Sequence, residues 1–149
     1  MKKKITLLAI IAVVMTTGIF ATPIEVAVSN KVLTSFTTRF EGAKEVTWNS
    51  TDQYIRASFI KDEQSLSAFF SVNGELIGVS RNILSKQLPI SLNIELKKYM
   101  ANSWITELFE FTDGQETTYF VTVENANQKT NLKSVSASEW SVFKKVKKS

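Results

Sequence analysis

The chain has 149 residues, a length that fits one globular domain or two small repeats. An apolar content of 44% is too high for a disordered chain, and five Gly and two Pro are too few for a collagen-like one. The sequence contains no Cys and no His, which excludes a disulfide framework, a thiol nucleophile, a Cys/His zinc site and an imidazole base.

The first 21 residues have the pattern of a secretory signal peptide. Lysines at positions 2–4 precede an apolar segment at residues 5–15, and Ala21 supplies a small residue for cleavage. An uncleaved anchor is the alternative, but residues 5–21 include Thr and Gly and fall short of the roughly 20 apolar residues of a spanning helix. We therefore expect a periplasmic or secreted protein that meets the membrane only through its transient signal peptide.

Charge is unevenly distributed along the rest of the chain. Residues 22–128 contain 9 basic and 13 acidic side chains, whereas residues 129–149 contain 6 basic side chains and one acidic one. A basic tip lies near the end, at Lys144, Lys145, Lys147 and Lys148. A solvated edge strand is the favoured interpretation, because lysines prevent edge strands from pairing, and contact with anionic lipid or an acidic partner is the alternative. The nearly neutral exported part does not favour a nucleic-acid-binding protein.

The first half of the exported part predicts a helix followed by strands. Residues 29–40 are expected to be helical, because Val32, Leu33, Phe36 and Phe40 recur along one stripe. Runs of aromatic and β-branched residues then predict four strands, at residues 45–48, 54–60, 66–72 and 75–80. Asn73-Gly74 predicts a two-residue turn between the last two strands, since a type I′ turn needs positive φ at both central positions.

The second half repeats this order. Leu88-Pro89 introduces a helix whose apolar face is formed by Leu88, Leu92, Leu96 and Tyr99. Four further strands are predicted at residues 104–111, 119–124, 130–135 and 139–144, with a turn at Asp113-Gly114. We therefore expect an α+β fold over residues 22–149, a tandem repeat of a helix plus a four-stranded antiparallel sheet at about residues 29–84 and 88–146.

Sixteen positions or dipeptides match a known pattern in both order and spacing: Phe36, Phe40, Ala43, Val46, Trp48, Tyr54, Phe59, Phe70, Asn73-Gly74, Leu88-Pro89, Ile94, Tyr99, Ile105, Tyr119, Val121 and Val123. With them the sequence resembles the PepSY-like family of exported bacterial proteins, also described as β-lactamase-inhibitor-like. The resemblance implies that the helices cover one face of an antiparallel sheet. By analogy with the β-lactamase inhibitory protein, it also implies that the exposed sheet face binds a partner protein.

Alternation along the strands predicts which side chains point away from the helices. The turn at Asn73-Gly74 would place Val72 opposite Glu75 and would direct Phe69 and Leu76 outward. The same alternation and the 64-residue offset between the halves complete a predicted partner-binding surface of Tyr54, Phe69, Leu76, Phe120 and Trp140. The alternative is that these side chains are covered, either by the other half's sheet or by self-association.

The sequence contains neither a G-x-S-x-G motif nor a calcium-binding loop. We therefore expect a non-enzymatic binding module without metal or cofactor, whose partner is an unidentified envelope or secreted protein. Its most specific form would be an inhibitor or modulator of an envelope enzyme, acting as a monomer or weak oligomer. A self-associating structural protein of the envelope is the second hypothesis, and a hydrolase built on Ser or carboxylate chemistry is the third.

Overall fold

A computed structural model describes residues 27–114 and 116–148, so the predicted signal peptide lies outside the described residues. The described residues form two compact units, which divide between Ile77 and Gly78. The first unit contains α1 (Asn30–Arg39), β1 (Lys44–Ser50), β2 (Ile55–Lys61), β3 (Gln64–Phe70) and the start of β4 (Leu76–Asn82). The second unit contains the rest of β4, α2 (Ile90–Leu96), β5 (Trp104–Asp113), β6 (Glu116–Glu124), β7 (Gln128–Ser134) and β8 (Trp140–Lys147), with short 3-10 helices at Ser85–Gln87 and Lys97–Tyr99.

The expected tandem repeat of a helix plus a four-stranded sheet is wrong. Within residues 27–114 and 116–148, the eight strands belong to one antiparallel sheet in the order β1-β2-β3-β4-β5-β6-β7-β8, accompanied by two short α-helices. The reason lies in β4, which pairs with β5 from Val79 opposite Thr112 to Asn82 opposite Phe109. After α2 the chain therefore returns to the same sheet and does not begin a second one.

Phe36 of α1 is the centre of an aromatic core in the first unit. Its ring centroid lies 5.2 Å from that of Trp48 and 5.1 Å from that of Phe59, both in edge-to-face geometry. Val32 is also buried, whereas Leu33 is exposed although the sequence pattern places it on the same stripe. The side of this part of the sheet that faces α1 is thus closed mainly by aromatic contacts, which favour such edge-on arrangements.

The second unit has a mainly aliphatic core beneath α2. Leu92 and Leu96 of α2 pack in a buried cluster with Leu108, Val121 and Leu132, which come from three consecutive strands. The other members of this cluster are Ile83, Leu88, Val123 and Trp140. The positions i and i+4 on α2 bring its two leucines to one face, so burial of this face fixes which side of β5, β6 and β7 is covered.

The predicted two-residue turn at Asn73-Gly74 is wrong. The Ser71 N–H donates to the Glu75 carbonyl at 2.9 Å, and the Gly74 N–H donates to the Ser71 carbonyl at 3.0 Å, which closes a three-residue loop. Gly74 has a φ of +87°, but Asn73 does not have positive φ, as a type I′ turn would require. The Ser71 hydroxyl accepts hydrogen bonds from the N–H groups of Asn73 and Glu75 and so stabilises the longer loop.

Candidate protein-binding surface

Four of the five residues predicted to form the partner-binding surface are buried, and Leu76 is half-buried. Tyr54 and Phe69 are in ring contact, with centroids 5.4 Å apart, and Phe69 is 0% exposed. Phe120 stacks on Phe109 with centroids 5.0 Å apart and an interplanar angle of 16°. The expected solvent exposure of these aromatic side chains is therefore wrong, because each packs against a neighbouring ring.

Trp140 also lies on the side of β8 opposite to the predicted one. Its indole Nε1–H donates a hydrogen bond of 2.9 Å to the carbonyl of Leu92 in α2, and the side chain is 4% exposed. Its strand partner is Ser134, two residues from the core residue Leu132. Because alternate residues of a strand share a face, Trp140 is directed beneath α2, and the 64-residue offset does not preserve side-chain direction.

A β-bulge in β5 places Trp104 on the face of the second unit opposite α2. Ile105 is paired with Val123 and packs against the cluster beneath α2, while the neighbouring Trp104 is paired with Glu124. The register shifts between Ile105 and Glu107, so Thr106 is the extra residue. In a regular strand of the same sequence, residues 104, 106 and 108 would share a face, and Trp104 would lie on the same side as buried Leu108. Trp104 is 50% exposed and is the only exposed aromatic side chain among the residues the structure describes.

Four strands contribute one residue each to a row across this face. Trp104 of β5 lies opposite Glu124 of β6, Glu124 lies opposite Lys129 of β7, and Lys129 lies opposite Val146 of β8. Directly opposed residues in antiparallel strands share a face, so the row leads from the exposed indole to the edge strand. We call Trp104, Thr106, Glu124, Lys129 and Lys148 the Trp104 cluster.

Polar contacts fix the Trp104 cluster. The Glu124 carboxylate accepts a hydrogen bond from Thr106 Oγ1 at 3.1 Å and forms ion pairs with Lys148 at 2.9 Å and Lys129 at 3.4 Å. The Lys148 N–H donates to the Asn127 carbonyl at 2.8 Å, and Lys148 Nζ lies 5.2 Å from the centroid of the Trp104 ring. This distance permits a cation–π interaction, so Lys148 restrains the exposed indole.

The hydrogen bond from Lys148 lowers the pKa of Glu124 below its ordinary value, and those from Thr106 and Lys129 act in the same direction against partial desolvation. Glu124 is therefore ionised at neutral pH and keeps both lysines nearby.

Outside the Trp104 cluster, burial raises the pKa of the Tyr54 phenol, with a smaller opposing effect of the Arg56 charge. Burial likewise raises the pKa of Tyr119, with a further contribution from Glu110.

The structure locates the serine and the carboxylates that a hydrolase or a metal site would draw on. Ser80, which follows Gly78-Val79 in the sequence, is buried in β4. Within residues 27–114 and 116–148, no group of three or more Asp or Glu side chains is arranged to hold a metal ion. In the same part of the chain, neither helix has the length and apolar composition that a bilayer span requires.

No family model matches the chain, and no curated protein gives a significant match. Solved structures do match. The fold is BLIP-like. A BLIP-like protein from Bacteroides fragilis aligns with a TM-score of 0.66 at 15% identity, covering 82% of this chain and 87% of that chain. A DUF2874 family protein from Bacteroides uniformis aligns with a TM-score of 0.70 at 11% identity, covering 80% and 88%.

A third solved structure, a presumed periplasmic protein from Bacteroides eggerthii, aligns with a TM-score of 0.71 at 10% identity, covering 80% of this chain and 88% of that chain. At these identities the likeness concerns the fold.

Trp104 and Glu124 are not among the residues that the sequence predicts to bind a partner, and Lys148 is predicted only as part of the basic tip. Trp104 was assigned to a strand, and simple alternation from Leu108 would have directed it into the core. The available signal was the sequence Glu124 to Lys129, where a carboxylate and a lysine flank a short connection and can pair across a hairpin. The position of Lys148 beside Trp104 depends on the pairing of β7 with β8, which local sequence does not encode.

Proposed function

We propose that this protein is an exported, non-enzymatic binding module that recognises another protein of the cell envelope through the Trp104 cluster. In its most specific form, the partner is an envelope enzyme that the module inhibits or modulates. The likeness in fold to a BLIP-like protein and to a presumed periplasmic protein supports this proposal, as does the sequence pattern of the PepSY-like family.

The half-exposed indole of Trp104 is the observation on which the proposal rests. An exposed Trp loses little mobility on binding when neighbouring side chains already hold it, and Trp is among the residues that most often dominate binding energy at interfaces. Lys148 on the ring and Glu124 beneath Lys148 supply that restraint. Both are charged, so they also offer hydrogen-bonding groups at the rim of the contact.

Capture of envelope proteins on the immobilised protein tests this function. We expect Trp104→Ala to reduce the captured partner at least tenfold while the melting temperature stays within about 2 °C, since half-exposed side chains contribute little to stability. Val72→Ala is the matched control, because Val72 is an exposed apolar residue of the first unit. Equal capture by Trp104→Ala and the unmodified protein would refute the assignment of binding to this cluster.

Export is the second part of the proposal, and mass spectrometry tests it directly. A protein recovered from the periplasm or the medium should begin at or near Thr22, because cleavage is expected after Ala21. Recovery of the intact chain from the membrane fraction would instead support an uncleaved anchor.

A further inference from the structure

We propose that β8 binds an extended acidic segment of the partner protein, which adds to the sheet as a further strand. This inference rests on the proposed function and assigns the chemistry of the partner. β8 is the last strand in the sheet order and pairs with β7 along its other edge. An edge strand presents unpaired N–H and C=O groups, which are the groups that an added strand uses.

The side chains of β8 determine which strand can be added. Lys145 lies opposite Thr130, and Lys144 lies opposite Asn131, so the two lysines lie on different faces of the sheet. Lys147 shares the face of Lys145 by alternation. The ion pairs found among the described residues involve none of these three lysines. An added strand therefore meets uncompensated positive charge, with two lysines on the face that Lys145 and Lys147 share, and acidic side chains on that face complement it.

Apolar contacts are available at Val146, which lies between Lys145 and Lys147, and at Val142, which precedes Lys144. Val142 and Val146 are each 43% exposed, and Val146 ends the row that begins at Trp104. A strand placed along β8 would thus extend that row by one residue. The partner segment should accordingly place acidic side chains on the face of Lys145 and Lys147 and apolar side chains on the face of Val146, which is the alternation of one extended strand, and it lies within reach of the Trp104 cluster.

A second copy of this chain does not fit as the occupant. Another β8 would bring lysines against lysines, and like charges directly opposite each other are destabilising. The other edge strand, β1, carries Lys44 beside Glu45 and has no net charge. The charge of β8 therefore selects a different protein with an acidic extended segment.

Binding of synthetic eight-residue peptides to the purified protein, measured by calorimetry in low salt, tests this inference. We expect an alternating Glu-Val peptide to bind, and a Gln-Val peptide to bind at least tenfold more weakly. N-methylation of alternate residues on the edge that pairs with the protein should abolish binding, because strand addition requires the peptide's N–H groups. Binding should weaken steeply as salt is raised.

Two matched triple variants distinguish an effect of the β8 lysines from an effect of the protein's net charge. The triple variant Lys144→Gln, Lys145→Gln and Lys147→Gln should bind the Glu-Val peptide at least tenfold more weakly. A control with the same change in net charge, Lys31→Gln, Lys86→Gln and Lys97→Gln, should bind it within twofold of the unmodified protein. Equal loss in the two triple variants, or binding that survives N-methylation, would overturn the proposal.

Vesicles containing one quarter phosphatidylglycerol test the lipid alternative. Binding to these vesicles without binding to the Glu-Val peptide would overturn the proposal in favour of a membrane surface. Partner capture tests the proposed function independently of these peptide and vesicle experiments. If Trp104→Ala abolishes partner capture but no peptide binds, the binding function stands and the assignment of an acidic strand to β8 fails.

Discussion

Trp140 joins β8 to α2 through a buried hydrogen bond to the Leu92 carbonyl. Trp140→Phe removes the indole N–H and leaves that carbonyl with one donor fewer in a buried site. We expect the free energy of unfolding to fall by about 1–3 kcal/mol, as for other buried hydrogen bonds. Urea denaturation measures this change, with Val142→Ala as a control on the same strand that should change stability by less than about 0.5 kcal/mol. An unchanged unfolding midpoint for Trp140→Phe would show that the hydrogen bond contributes nothing.

The ion pairs of Glu124 predict how the stability of the protein depends on pH. Its pKa in the folded protein is lowered, chiefly by Lys148, so its ion pairs contribute stability above the pKa of the unfolded chain. That contribution is lost as the pH falls through the pKa of the folded state. In an NMR titration of the carboxyl carbons, Lys148→Gln should raise the pKa of Glu124 toward the ordinary value of 4.5.

Lys147→Gln is the control for this titration, because Lys147 is paired with Gln128 and does not contact Glu124 in the described structure. It should leave the pKa of Glu124 nearly unchanged. An equal rise in both variants would mean that overall charge, and not the hydrogen bond from Lys148, lowers the pKa.

The hairpin of β2 and β3 is a strained element with a simple remedy. Lys61 lies opposite Gln64, so Asp62 and Glu63 form a two-residue turn, and their φ angles are 50° and 62°. The left-handed conformation costs most side chains roughly 1–2 kcal/mol per residue, and Asn-Gly is preferred in such turns. The double substitution Asp62→Asn and Glu63→Gly should therefore stabilise the protein by roughly 1 kcal/mol in urea denaturation.

The same dipeptide placed at Asp52-Gln53 provides the control for this element. Neither residue has positive φ, so Asn-Gly there should bring no gain and should lower stability through the added freedom of the unfolded chain. A comparable gain at both loops would indicate that the effect comes from composition and not from the left-handed turn.

Local pattern predicted the elements better than the direction of their side chains. Both helices and all eight strands were expected near their observed positions, because periodicity and turn residues are local properties. The predicted side of the sheet was wrong for Trp140, and the exposed position of Trp104 was not predicted. Register shifts in β5 and β8 change which face a residue occupies, and no local residue pattern marked the extra residues Thr106 and Phe143.

At the scale of the whole molecule, one eight-stranded sheet replaces the expected tandem repeat of four-stranded sheets. The sequence repeats a helix and four strands, and this repetition predicts two halves whose sheets are shared or abut. The choice between two sheets and one depends on whether β4 pairs with β5, a contact about 30 residues apart along the chain that element order does not specify. Unequal charge, by contrast, is evident from the sequence, and the structure places three of the six lysines of residues 129–149 on the edge strand β8.

The central claim is that partners bind to the face of the second unit opposite α2, at the Trp104 cluster, and along β8. Hydrogen exchange of the protein alone and in complex with its captured partner tests this claim most directly. We predict slower exchange confined to residues 104–106, 122–129 and 140–148, with no change in α1 or in the loop at residues 71–75. Protection centred on α1, on α2 or on the first unit, with residues 140–148 exchanging as in the free protein, would contradict the account.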